Sequence, residues 1–115
     1  IALMLEGLYQ AKNKCSSENC DGYGAKAIDQ ESFQNAYNFA LLLPKNIPVP
    51  EIYVDPDGEV TFEWYEGRRQ VFSISFGGKN QLSYAGLYGY NKTYGVEYFS
   101  DNVPEIILDN INRLF

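Results

Sequence analysis

Two stretches of strict alternation limit what this chain can become. In Val60-Thr61-Phe62-Glu63-Trp64-Tyr65 the apolar residues Val60, Phe62 and Trp64 alternate with Thr61, Glu63 and Tyr65. In Val71-Phe72-Ser73-Ile74-Ser75-Phe76 the inward set is Phe72, Ile74 and Phe76, and two serines mark the other side. Successive strand side chains point to opposite faces, so a period of two describes a sheet with one buried and one wetter face. Antiparallel sheets are built this way. Turn sequences separate the runs. Asp55-Pro56-Asp57-Gly58 has the Asp, Pro and Gly positions of a type I turn. Glu66-Gly67-Arg68-Arg69 and Gly77-Gly78-Lys79-Asn80 supply the next reversals. The pattern predicts strands over Glu51–Val54, 59–65, 71–76 and 81–87, joined as a meander of hairpins.

Helical spacing appears on both sides of this block. Ile1, Met4, Leu5, Leu8 and Ala11 predict an amphipathic helix over 1–12. Residues 13–26 are rich in Ser, Asn, Asp and Gly and read as a flexible polar loop. Asp29 then caps a second helix whose stripe is Phe33, Ala36, Tyr37, Ala40 and Leu41. Pro44 ends it, and the prolines of 44–50 carry the chain extended to the sheet. In 86–98, Gly86, Gly89 and Gly95 are interleaved with Tyr88, Tyr90, Tyr94 and Tyr98, which reads as a loop with a short fifth strand at 96–99. A last helix is expected from Asp101 or Asn102, with Pro104 in its first turn and Val103, Ile106, Ile107, Ile111 and Leu114 as its apolar side. The order gives one α+β domain over 1–115: an antiparallel meander sheet of four to five strands, with N-terminal helices and a C-terminal helix packed on one face. A chain of 115 residues buries roughly two thirds of its unfolded surface and needs no staple to hold a core.

Charge and composition narrow the chemistry. Fifteen acids against nine bases give −6, of which residues 51–115 carry ten acids against five bases. Such a surface repels phosphate backbones, which disfavours nucleic acid, and suits a basic partner protein. No apolar run approaches the roughly 18 residues of a membrane span, and no signal-peptide pattern is read, so a soluble cytoplasmic protein is expected. The chain contains no histidine. Ser-His-Asp and Cys-His pairs and His-ligated metals are therefore excluded. Cys15 and Cys20 either close a small disulfide loop or stand as reduced thiols, and two cysteines alone do not make a structural zinc site. Asp55-Pro56-Asp57-Gly58-Glu59 starts like a calcium loop, yet its glycine falls at place four rather than six, and it reads as a hairpin turn. No metal or cofactor is expected. Asn91-Lys92-Thr93 is a formal glycosylation sequon, relevant only to a secreted chain.

The tyrosines are the most suggestive feature for function. Tyr88, Tyr90 and Tyr94, with Lys92 among them and Arg68 and Arg69 at one rim, form a candidate contact patch. The opposite reading, in which the segment folds back and buries its rings, carries equal weight. The segment 63–115 also resembles a group of short bacterial proteins of uncharacterised function. The likeness lies in Val71-Phe72-Ser73-Ile74-Ser75, Leu82-Ser83-Tyr84-Ala85-Gly86-Leu87, Gly95-Val96-Glu97-Tyr98-Phe99 and Pro104-Glu105-Ile106-Ile107-Leu108. It implies a bacterial or phage origin and brings no catalytic residue with it. The leading expectation is a small, acidic, non-enzymatic module that binds and occludes another protein, in the manner of an antitoxin or immunity protein. The competing one is a small-ligand-binding regulator or minor enzyme using carboxylate and Tyr residues, with its cleft between the sheet and the first helix.

Overall fold

The alternation of 60–76 is realised as the middle of a five-stranded antiparallel sheet, ordered β1-β2-β3-β4-β5, in a computed structural model that describes residues 2–17 and 26–115. The strands are β1 (Glu51–Val54), β2 (Val60–Gly67), β3 (Gln70–Phe76), β4 (Gln81–Tyr88) and β5 (Asn91–Tyr98). Helices α1 (Ala2–Lys14) and α2 (Gln30–Leu42) precede the sheet, and α3 (Glu105–Leu114) follows it. The register aligns Phe62 with Ile74 and Trp64 with Phe72, so the inward residues of β2 and β3 form one apolar surface. All four are buried, in one core cluster with Met4 and Leu8 of α1, Phe39 of α2 and Ile107 and Ile111 of α3.

Each helix is set on that surface by local chemistry. Asp29 is the N-cap of α2 and accepts the Ser32 amide at 3.0 Å. Ser32 Oγ in turn accepts the Val60 amide at 2.8 Å, which ties the first turn of α2 to the start of β2. Asn35, also buried, donates to the Gly77 carbonyl at 2.6 Å and accepts the Asn80 amide at 3.3 Å, fastening α2 to the β3–β4 turn. The proline-rich segment is pinned by Trp64, whose indole donates to the Pro48 carbonyl at 2.7 Å. Residues 26–29 clamp the β1–β2 turn. Lys26 N donates to Pro56 O, and Asp29 N to Gly58 O, each at 2.8 Å. Gly58 has φ +91°, and a Cβ there would stand 2.6 Å from the Ala27 carbonyl, so this turn requires glycine.

Several sequence expectations are corrected. The expected fifth strand is present but longer than 96–99, and the rest of 86–98 is strand and tight turn rather than loop. β4 runs to Tyr88, and Gly89 and Tyr90 make a two-residue turn into the eight-residue β5. Gly89 has φ +67°, which suits the first central position of a hairpin turn of type II′. Gly86 and Gly95 lie inside strands, because aromatic rings occupy the place of the missing side chains. A Cβ on Gly86 would meet Tyr88 Cε2 at 2.8 Å, and one on Gly95 would meet Tyr84 Oη at 2.7 Å. The last helix starts at Glu105 rather than 101 or 102, with Pro104 as its N-cap. Proline disfavours helical geometry in the residue before it, so Val103 cannot belong to the helix. In α2, Leu41 is exposed and the centre of the stripe is the fully buried Phe39. Asn13 and Lys14 of the expected polar loop belong to α1, and residues 18–25, with Cys20, lie outside the described residues. Of the two readings of the cysteines, the bonded one holds for Cys15. Its sulfur lies 3.7 Å from the Lys26 carbonyl, a packing contact, since a disulfide sulfur has no proton to donate.

Candidate functional site

The helices roof one face of the sheet. The pairings show what the other face presents. Across the strands run the rows Tyr53, Thr61, Ser75, Ser83, Val96, then Glu51, Glu63, Ser73, Ala85, Tyr94, then Tyr65, Val71, Leu87, Lys92. Its β1–β2 side is acidic and internally hydrogen-bonded. Tyr53 donates to Glu63 Oε1 at 3.1 Å. Thr61 donates to Asp55 Oδ2 at 2.6 Å and lies 3.0 Å from Ser75 Oγ. Burial, and then the charge of Glu63, push Tyr53 up to about 12, so its hydroxyl stays protonated at neutral pH.

The β4–β5 side is apolar and exposed. Tyr94 is 82% exposed, Tyr98 68% and Val96 50%. Beside Tyr94, a shallow groove of about 280 Å³ is lined by Val71, Ser73, Ala85, Leu87 and Lys92. Exposed aromatic and branched side chains grouped on a sheet face, with apolar residues beneath them, mark an interaction surface more often than scattered single residues do.

The six residues singled out from sequence divide into three groups. Lys92 and Tyr94 lie on this open face, at adjacent rows of β5. Tyr90, 88% exposed, sits in the β4–β5 turn beneath the Arg69 guanidinium, 4.9 Å from its ring centroid. Arg69 also accepts the Gly89 amide on its carbonyl at 2.7 Å, which brings the β2–β3 and β4–β5 turns together at one end of the sheet. Arg68, exposed, occupies the same β2–β3 turn. Tyr88 is on the roofed side. Its hydroxyl donates to Asn110 of α3, with Oδ1 at 2.7 Å and the carbonyl at 2.9 Å, and the Arg113 guanidinium lies 4.2 Å from its ring centroid. Burial pushes Tyr88 up to about 12 despite the opposing influence of Arg113. Tyr88 thus holds α3 to β4, and Tyr98, Val96 and Tyr65 on the open face were not singled out. The signal for two of them was present: Lys92, Tyr94, Val96 and Tyr98 alternate with Thr93, Gly95 and Glu97, a period of two hidden by the glycines.

Two further hollows flank the sheet. One, of about 330 Å³, lies between α1 and β1 and is lined by Ala11, Lys14, Cys15, Glu51 and Tyr53. The other, of about 320 Å³, has Glu51, Glu63 and Glu66 around Trp64, Tyr65 and Phe115. Among the described residues no group of three or more acids or thiols is placed to hold a metal ion, and Asp57, read from sequence as part of a turn, accepts the Glu59 amide at 2.9 Å. No helix among the described residues is long and apolar enough to cross a membrane. In comparisons with known proteins, no family model, no curated protein and no solved structure matches this chain.

Proposed function

We propose that this protein is a non-enzymatic binding module of bacterial or phage origin that occludes a partner protein, as antitoxins and immunity proteins do. The observation that carries the reading is the open sheet face, where Tyr94, Val96 and Tyr98 stand exposed beside Val71 and Leu87. Tyrosine supplies a large rigid contact area at small entropic cost, and contact patches with aromatic centres carry most of the energy of protein association. The carboxylates of Glu51, Glu63 and Glu66 border the same face at β1 and β2. With a net charge of −6, they suit a partner whose contact surface is basic and would speed its encounter at low salt. The hydrogen bond from Tyr53 holds the Glu63 carboxylate in place on that flank.

The test is affinity capture from a bacterial lysate with the wild-type chain and with Tyr94→Ala/Tyr98→Ala, two substitutions that touch no core residue. The expected result is a basic protein retained by the wild type at moderate salt and lost by the double variant. Retention of the same proteins by both would remove the open face from the account.

A further inference from the structure

The two edges of the sheet are treated differently. At the β1 edge α1 packs against the strand. At the β5 edge no further strand pairs among the described residues. β5 pairs with β4 over eight consecutive residues without a register shift, and it contains no proline. Bulges, prolines and very short strands are three of the means by which proteins blunt such an edge, and β5 has none of them; its only guards are the charges of Lys92 and of Glu97 on the roofed side. Its backbone polarity can be read from one bond. Phe99 N donates to Asn80 O at 3.0 Å, continuing the ladder in which β5 and β4 positions pair. Backbone groups along an antiparallel strand alternate in direction, so Thr93, Gly95 and Glu97 turn theirs to β4. Lys92, Tyr94, Val96 and Tyr98 turn theirs outward, and these are the residues whose side chains occupy the open face.

The geometry points to a homodimer formed by antiparallel pairing of β5 with β5 of a second copy, about a two-fold axis through Gly95. The register follows from the residues. An axis perpendicular to the sheet keeps both open faces on the same side and pairs positions symmetrically about its centre. Centred on Gly95, it sets Tyr94 opposite Val96 of the second copy and Lys92 opposite Tyr98, an aromatic–aliphatic pair and a cation–π pair, each occurring twice. On the roofed side it sets Thr93 opposite Glu97, a hydroxyl against a carboxylate. Gly95 faces its own mate at a non-hydrogen-bonded position, where strands approach to about 4.5 Å between Cα atoms. An axis on Val96 would instead set Gly95 against Glu97 and carry Lys92 beyond the strand to Ser100. An axis on Tyr94 would set Lys92 against Val96 and leave Tyr98 with no strand residue opposite.

The result is a ten-stranded sheet in which the two β5 edges are joined and α1 packs against β1 at each far end. The Tyr94–Val96–Tyr98 rows of the two copies then join at its centre. This inference stands whether or not the open face takes a partner protein. An eight-residue ladder buries less than the ~1,200–2,000 Å² of a standard interface, so association is weak. The charge of −6 on each copy opposes it, and salt should strengthen it by screening that repulsion.

Sedimentation equilibrium from roughly 10 µM to 1 mM, the range of dissociation constants that marks weak association, tests the dimer. The wild-type chain should move from 13.1 kDa towards twice that mass, more readily at high salt. Val96→Pro removes an outward N–H that β4 does not use and is tolerated on an edge strand, so it should fold and associate at least about tenfold more weakly. Val96→Asp keeps the backbone donor, replaces the aliphatic partner of Tyr94 with a carboxylate, adds to the negative charge of each copy and decides the matter if the proline variant does not fold. A wild type that stays at monomer mass throughout, species beyond the dimer, or folded variants that associate like the wild type would each overturn the proposal.

Discussion

Glu59 follows the β1–β2 turn in a neighbourhood of carboxylates. Partial burial raises its pKa above the ordinary carboxylate value, and the charges of Asp57, Asp55 and Asp29 add to the rise. The sign of the consequence is fixed by linkage. A folded-state pKa above the unfolded one means that the folded chain holds this proton more tightly. The contribution is therefore fully favourable below the unfolded pKa, and it is lost as pH rises through the folded one. At neutral pH Glu59 is a burden, softened by solvent because the side chain is only partly buried. Glu59→Gln should raise Tm at pH 7, by less than about 1 kcal/mol of stability. The gain should shrink towards zero as pH is lowered below about 4, where the wild-type carboxyl is protonated as well. Thermal unfolding of both proteins across that range reads the effect, and a pH-independent difference would contradict it.

At the scale of elements, α3 is held to β4 by a polar joint inside an apolar contact. Ile107 and Ile111 are fully buried, and between them Asn110 donates to the Ile106 carbonyl at 2.7 Å while accepting Tyr88. Tyr88→Phe would leave Asn110 Oδ1 buried without its donor, at a cost of about 1–3 kcal/mol. For a domain of this size that corresponds to a fall in Tm of roughly 4–12 °C by calorimetry. An unchanged Tm would show that α3 is held by its isoleucines alone. This joint also shows where sequence reading stops. The strand block and the capping of α2 by Asp29 were legible because each is a local pattern, an alternation or a cap three residues from its amide. Phe39 does not stand out in the sequence because Phe33, Ala36, Tyr37 and Ala40 make a plausible stripe without it. Only the sheet beneath, through Phe62 and Phe76 with ring centroids 6.3 and 5.1 Å away, rotates the helix to bury it. The first half of β5 reads as loop, and only 96–99 as strand, for a similar reason: Gly95 looks like a breaker until Tyr84, eleven positions earlier in sequence, is seen to fill its place. Tyr88 and Tyr94 are both tyrosines beside glycines, and the strand direction that sends one under the roof and the other into solvent is a property of the register.

The whole molecule is a sheet with two unlike sides. Three helices and the aromatic core of Phe39, Phe62, Trp64, Phe72 and Phe76 close one of them. The other carries acids at β1–β2 and exposed tyrosines at β5, and both proposals on function draw on it. The direct test is proton relaxation by a neutral soluble paramagnetic probe, measured by NMR on a dilute sample with assigned side chains. Strong broadening is predicted for Tyr94, Val96 and Tyr98, with Phe62, Phe72 and Ile74 left sharp. Sharp signals from Tyr94, Val96 and Tyr98 in the dilute chain would mean that something covers β5, and the open face would be contradicted.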